Sequence, residues 1–156
     1  MAKIILTGVD PSQTALRAAE QAAELSDGLG AELHVVSAYS VSMSETMRSV
    51  QGSHGPSAGA GAYNKLLEQQ AEQAQNTADV VAVTLREMFP NLEIVAAGVQ
   101  GAPAEALLSE AERLGADIIV VGNKGVQGAA RVFGSIARTV ASETSCDLYI
   151  VNTRPR

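Results

Sequence analysis

Short apolar runs of strand length alternate with helical patterns along the chain, and this alternation constrains the fold more than any other feature. Five runs have the length and aliphatic content of buried strands: residues 3–9, 33–38, 92–97, 117–121 and 148–151. Because helical segments separate successive strands, the crossovers should be right-handed and the strands parallel. We therefore predict an α/β fold, a five-stranded parallel sheet with helices on both faces, in a single domain over residues 1–156.

The helical segments between these strands have recognisable ends. Ser12 is a good N-cap for the first helix, and Asp27-Gly28 is expected to close it. The strongest amphipathic pattern covers residues 63–88, where apolar residues recur at spacings of three and four. Pro103 suits the first turn of the next helix, and the last predicted helix covers residues 135–143.

Residues 40–62 differ in composition from the segments on either side. They contain six serines and four glycines and show no stable hydrophobic period. A segment of this length without periodicity is typical of a functional surface loop. We expect a mobile loop or lid here, not a linker between domains.

Composition and charge exclude several classes of function. The formal charge of −6 and the aromatic content of 3% argue against a nucleic-acid partner, which needs a basic surface or stacking platforms. The single cysteine, Cys146, cannot form an internal disulfide, and a structural zinc site is not expected. The longest aliphatic run, residues 118–121, is too short to span a bilayer, and the first residues show no signal peptide. We expect a cytoplasmic protein with no membrane partner.

The glycine-punctuated segment after the fourth predicted strand is the strongest candidate for a binding site. Gly122 and Gly125 form a GxxG in which backbone N–H groups can approach an anion, and Gly134-Ser135 opens a helix whose N-terminus favours phosphate. Residues 122–141 contain no acidic residue and three cations, Lys124, Arg131 and Arg138. Alternatively, the glycines form plain turns and Gly134-Ser135 is an ordinary helix start. These residues alone support both interpretations equally.

Asp10 is a second candidate, because it follows the first predicted strand. Parallel sheets bind ligands at the carboxyl ends of their strands, near the point where the strand order reverses. An aspartate here is also a common helix-capping residue, and alone that interpretation is the stronger one. Strands one and four are often neighbours at the reversal point, so Asp10 and the GxxG support each other as parts of one site.

The motifs of several enzyme classes are missing, whereas others match a known family. The chain has no P-loop, no GxGxxG after the first strand, no GxSxG and no HExxH. Residues 8–12, Gly-Val-Asp-Pro-Ser, together with residues 101–103 and 115–122, resemble the strand signatures of the universal stress protein family. The GxxG at Gly122, followed by Gly134-Ser135, resembles the ATP-binding signature of that family's nucleotide-binding branch.

The resemblance implies a fold, an assembly and a ligand. The fold would be Rossmann-like, of the adenine-nucleotide α-hydrolase-like kind, with strand order 3-2-1-4-5. A homodimer would form through the last strand, over Asp147–Val151. The ligand would be ATP or a related adenine nucleotide, AMP or cyclic AMP. Mg²⁺ or Mn²⁺ would accompany it through the phosphates, without a metal site made by the protein.

The resemblance also implies which residues bind the nucleotide. The base and ribose side would be lined by Gly8, Val9, Asp10 and Ala38. The ribose and phosphates would be held by Val121, Gly122, Gly125, Gly134, Ser135 and Ile136. From the same segment we add Asn123, Lys124 and Arg131 to the predicted site.

One spacing departs from the family pattern. Eight residues separate Gly125 from Gly134, one fewer than in the family. Either the loop tightens around the same phosphate, or the phosphate end of the site shortens and favours AMP or cyclic AMP over ATP. We expect nucleotide binding to be retained.

The most consistent function is a nucleotide-responsive regulator of stress survival that hydrolyses ATP slowly at most, because no general base is evident beside the GxxG. A second interpretation is a dimeric interaction module that binds no nucleotide. A third is an enzyme of the wider fold group, such as a nucleotidyl transferase. That interpretation requires a further catalytic motif, and none is found.

Overall fold

Five strands and five helices make up most of the described chain. The computed structural model describes residues 2–50, 58–123 and 134–154. The strands are β1 (Ile4–Gly8), β2 (Glu32–Tyr39), β3 (Ile94–Gln100), β4 (Ile118–Gly122) and β5 (Asp147–Val151). The helices are α1 (Gln13–Leu29), α2 (Met43–Ser49), α3 (Ala58–Met88), α4 (Pro103–Leu114) and α5 (Ser135–Glu143).

The strands form one parallel sheet in the order β3-β2-β1-β4-β5, so the predicted fold class is confirmed. Helices α1 and α3 pack on one face, and α4 and α5 pack on the other. The strand order reverses between β1 and β4, which are hydrogen-bonded neighbours. The carboxyl ends of these two strands are therefore the place where this fold class binds ligands.

Small aliphatic side chains let the helices lie close to the sheet. On the α1 and α3 side, buried alanines such as Ala19, Ala22 and Ala78 pack against Ile5 and Val35 of the central strands. The opposite core contains Leu6, Val36, Leu107, Ile119 and Val140. The low aromatic content of the sequence is accommodated by this close helix-on-sheet packing.

The ends of α1 confirm one prediction and correct another. Ser12 is the N-cap, and its side-chain oxygen accepts a hydrogen bond from Ala15 N. The helix does not end at Asp27-Gly28, because Gly28 continues the helix and Gly30 closes it with φ of 63°. A glycine adopts this left-handed conformation without strain, so the second glycine supplies the C-cap.

The expectation of an aperiodic loop over residues 40–62 is wrong at both ends of that range. Helix α2 covers Met43–Ser49, and α3 already begins at Ala58. A capping box holds the short helix: Ser42 Oγ accepts from Glu45 N, while Ser42 N donates to the Glu45 carboxylate at 2.7 Å. The hydrogen bond from the Ser42 backbone lowers the pKa of Glu45. Residues 51–57 lie outside the described ranges.

Helix α3 covers the outer edge of the sheet at β3. The Gln75 side-chain amide donates to Ala96 O at 3.1 Å and accepts from Gly98 N at 3.2 Å. Three helical turns later, Arg86 donates to Ile94 O at 2.8 Å. A Cβ at Gly98 would lie 3.1 Å from Gln75 N, so the glycine allows this close approach of helix and strand. The helix thereby satisfies backbone groups that an edge strand otherwise exposes.

Candidate functional site

A cavity of about 580 Å³ lies at the carboxyl ends of β1, β2 and β4, where the strand order reverses. Its walls come from both faces of the sheet: α1 and α3 on one side, α4 and α5 on the other. The volume falls within the range of about 300–1,000 Å³ that is usual for small-molecule sites. The topology thus predicts the position at which the cavity is found.

Most of the predicted site residues meet in this cavity. Nine of the thirteen line it, namely Gly8, Val9, Asp10, Ala38, Val121, Gly122, Gly134, Ser135 and Ile136. Three others, Lys124, Gly125 and Arg131, lie outside the described residues. The sequence separation is large, since residues 8–10 and 134–136 come from opposite ends of the chain. The two predicted halves of the site, residues 8–10 and residues 134–136, therefore line the same cavity.

Asn123 is the predicted site residue that does not line the cavity. Its side-chain oxygen accepts from Thr153 N at 2.9 Å and from Thr153 Oγ1 at 3.0 Å. Its side-chain nitrogen donates to Asn152 Oδ1 at 3.1 Å. These bonds direct the carboxamide toward the segment after β5 and away from the cavity.

Asp10 lies between β1 and α1 and shapes the start of the helix. Its Oδ1 accepts from Ser12 N at 2.9 Å, and Ser12 in turn caps α1. The two interpretations of Asp10 are therefore compatible: the carboxylate organises the turn and also lines the cavity. A carboxylate has lone pairs for several hydrogen bonds.

The other end of the cavity contains the start of α5. Gly134 is the N-cap, and no side chain of the described residues caps the helix there. Its first turn carries no acidic residue, and Ser135 is exposed. Backbone N–H groups at an uncapped helix N-terminus, together with the helix dipole, favour an anion.

A polar wall on α3 and β2 was not predicted. Gln70, Gln73 and Thr77 line the cavity from α3, and Ser37 lines it from β2. Ser37 is only 6% exposed, so its hydroxyl belongs to the interior of the site. The sequence did carry a signal, because the three α3 residues recur at spacings of three and four beside the buried Ala74. Polar residues at helical spacing beside buried positions of the same helix are typical of a cavity wall.

The described lining is almost free of ionisable groups. Asp10 is its only carboxylate, and it contains no histidine, cysteine, lysine or arginine. Within the described ranges, no group of three or more histidine, cysteine, aspartate or glutamate residues could hold a metal ion. In the same ranges, no helix is long and apolar enough to cross a membrane. The described walls therefore offer hydrogen bonds and apolar contact more than acid–base chemistry.

Comparison with known proteins identifies the family. The sequence model of the Universal stress protein family matches residues 1–152, so the chain belongs to that family. A universal stress protein of Mycobacterium tuberculosis is 30% identical over 157 residues, covering 97% of each chain.

Two solved structures show a similar fold. A universal stress protein in complex with cAMP has a TM-score of 0.67 and 26% identity, over 97% of this chain and 98% of that one. A universal stress protein from Archaeoglobus fulgidus has a TM-score of 0.66 and 18% identity, over 97% of this chain and 95% of that one. These two structures support the fold, while the match over residues 1–152 and the 30% identical relative confirm the predicted family.

Proposed function

We propose that the chain binds ATP or a related adenine nucleotide in the cavity and acts as a nucleotide-responsive stress regulator. The proposal rests on one observation, which is that a single cavity has two chemically different ends. One end is formed by Gly8, Val9, Asp10 and Ala38, and the other by the start of α5, which no side chain in the described ranges caps. A nucleotide has the matching asymmetry, with a flat base at one end and phosphates at the other.

The base and ribose lie at the β1 and β2 end in this proposal. Asp10 accepts hydrogen bonds from the ribose hydroxyls, as acidic residues do in other parallel sheets that bind nucleotides. Ser37, Gln70 and Gln73 line the cavity near this end and supply hydrogen bonds that suit a base edge. The bound cAMP of the 26% identical relative supports an adenine nucleotide as the ligand class.

The phosphates lie at the β4 and α5 end. Val121, Gly122, Gly134, Ser135 and Ile136 line that end of the cavity. Lys124, Gly125 and Arg131 remain predicted phosphate contacts from the sequence pattern. A divalent ion, Mg²⁺ or Mn²⁺, binds through the phosphates, since the described residues offer no metal cluster of their own.

A binding role is favoured over catalysis. Asp10 is the only carboxylate in the described lining, and the proposal places it at the ribose, far from the terminal phosphate. Hydrolysis, if any, is therefore slow. The location in the cytoplasm stays a prediction from the sequence.

We also propose a homodimer formed through β5. This strand is the sheet edge opposite β3, and Tyr149 at its centre is 45% exposed. Edge strands readily pair with a second copy, and twofold pairing is the commonest solution. The predicted Asp147–Val151 interface thus corresponds to a complete edge strand.

The ligand is tested by denaturing the purified protein and identifying released nucleotide by mass spectrometry, followed by titration with ATP, AMP, cyclic AMP and adenosine. Adenosine is included because it has the base and ribose but no phosphate. Binding of none of the four by the folded protein would contradict the nucleotide proposal and favour the interaction-module alternative.

Ser135→Asp tests the phosphate end directly. An aspartate in the first turn of α5 is favourable for the helix but repels phosphate. We expect ATP affinity to fall by at least roughly tenfold, the equivalent of about 1.4 kcal/mol, with thermal stability unchanged or raised. Ser109→Asp, on the exposed surface of α4, is the matched control for the added charge. Equal ATP affinity of the two variants and the original protein would place the phosphates elsewhere.

A further inference from the structure

The segment that follows β5 is held firmly against the rest of the domain. Thr153 is only 4% exposed, although it lies close to the end of the sequence. Its backbone N–H and its hydroxyl both donate to Asn123 Oδ1, at 2.9 and 3.0 Å. Its carbonyl oxygen accepts from the Arg17 guanidinium at 3.0 Å. Thr153 thus connects α1 with the end of β4.

Asn123 is the residue through which this connection reaches the site. It directly follows Gly122, which lines the cavity, and directly precedes the predicted phosphate-binding loop. Asn123 N donates to Val151 O at 2.9 Å, and its carboxamide bonds to Asn152 and Thr153. Backbone and side chain together fix the direction in which the chain leaves β4.

The packing around Gly122 adds a steric component. A Cβ on Gly122 would lie 3.1 Å from the Thr153 methyl group and 3.5 Å from Ala18 Cβ. Ala18 and Gly122 both line the cavity, while Thr153 lies behind them. Thr153 therefore packs behind the wall of the cavity and does not itself line the cavity.

We propose that Thr153 is a positioning residue for the phosphate end of the nucleotide site. By holding Asn123 Oδ1 with two donors, it fixes the orientation of the chain between Gly122 and the loop before a ligand arrives. Pre-ordering of this kind increases affinity by removing an ordering cost from binding. This inference rests on the proposed nucleotide function, and it concerns only the phosphate end, because the base end is built by β1 and β2.

The test compares ATP with adenosine in the full chain. Thr153→Val removes the hydroxyl hydrogen bond but keeps the shape and the methyl contact with Gly122. We expect ATP affinity to fall roughly two- to tenfold, the worth of one hydrogen bond, while adenosine affinity stays unchanged. Thr153→Ser keeps the hydroxyl and should retain the original ATP affinity. Thr84→Val is the matched control, because its hydroxyl bonds only within α3.

A second variant removes the acceptor. Asn123→Ala deletes the oxygen that receives both Thr153 donors, so a larger loss of ATP affinity is expected, again without a change for adenosine. A selective loss for ATP supports the positioning role, since a general loss of stability would weaken both ligands. Equal affinities in the original protein and both variants, or parallel losses for ATP and adenosine, would overturn the inference. Absence of binding to either ligand in the original protein would instead overturn the proposed function on which it rests.

Discussion

The two edge strands of the sheet differ in how their outward backbone groups are satisfied. Side chains of α3 bond to these groups on β3, whereas no described side chain bonds to them on β5. Gln75 and Arg86 bond to Ile94 O, Ala96 O and Gly98 N, all of which point away from β2. On β5, Asp147 N and Val151 O bond toward β4, so Leu148 and Ile150 direct their backbone groups outward. Within residues 2–50, 58–123 and 134–154, no side chain bonds to those outward groups.

The difference shows how one sheet can have two unequal edges. Side chains that imitate a neighbouring strand protect an edge from pairing with another chain. The protection of β3 leaves β5 as the edge available for the proposed dimer. A parallel sheet with one protected edge can therefore form a closed dimer and avoid open-ended association.

The largest effect is expected from Ile150→Pro. The Ile150 N–H points outward, so proline removes a donor from the proposed interface without breaking a bond to β4. We expect the dimer dissociation constant to rise roughly hundredfold, since several hydrogen bonds of about 1 kcal/mol each depend on the edge. Gln100→Pro, at an exposed outward position of β3, is the control and should leave the oligomeric state unchanged. If light scattering gave the same molar mass for both variants, the two edges would not differ in their role in dimer formation.

Gly98→Ala tests the close approach of α3 to β3. The new methyl would lie 3.1 Å from Gln75 N and 3.3 Å from Ala71 O, which are backbone atoms that cannot move independently. The free energy of unfolding should fall by about 1–3 kcal/mol. Gly28→Ala has the opposite expected sign, because Gly28 lies within α1 with nothing near its Cβ position. Alanine there should stabilise by about 0.5–1 kcal/mol. Urea unfolding of both variants measures the two effects, and a stabilised Gly98→Ala variant would contradict the packing argument.

Gln75→Ala removes the amide that bonds to β3. Three hydrogen bonds are lost, two to β3 and one to the exposed Asp79 side chain. Unfolding should therefore become easier by about 1–2 kcal/mol, and the uncovered edge should promote self-association. Gln21→Ala provides the comparison, since Gln21 bonds only to the exposed Glu24 side chain. Sedimentation at increasing concentration should separate the two variants. If they behave alike, Gln75 does not protect the edge.

Arg86→Met is expected to have the smallest effect. It removes one hydrogen bond, to Ile94 O, but keeps most of the aliphatic stem. The expected loss of stability is about 0.5–1 kcal/mol. Arg48→Met, on the exposed surface of α2, should cost less. Thermal unfolding of both variants measures the two losses of stability. A loss for Arg86→Met no larger than that for Arg48→Met would mean that Gln75 alone protects the edge of β3.

The periodicity of the sequence was sufficient to predict the sheet and most helices, because buried strands and amphipathic helices repeat with different periods. It failed at residues 43–49 and 58–62, which are helical. Helix α2 is stabilised by the capping box of Ser42 and Glu45 and not by an apolar stripe. That box follows a recognisable sequence pattern, so composition was the wrong criterion there.

The position of the candidate site was predictable where it depends on chain topology and not where it depends on side-chain direction. Gly8 to Asp10 and Gly134-Ser135 meet because the strand order brings their strands together. The turn of Asn123 toward Thr153 depends on a tertiary contact across 30 positions. The wall formed by Gln70 and Gln73 likewise depends on how α3 is rotated about its axis. Neither is encoded in local spacing.

Helix α3 has a consequence for how the length of this chain can vary. Gln75 and Arg86 are eleven positions apart, which is close to three full turns, so both face β3. Gln70 and Gln73, on the same helix, face the cavity. Inserting one residue between Gln75 and Arg86 would rotate one half of the helix by about 100° relative to the other. The side chains that bond to β3 and the side chains that line the cavity could not then both keep their orientation. We therefore expect that an insertion or a deletion within residues 70–86 would disrupt either the hydrogen bonds to β3 or the wall of the cavity.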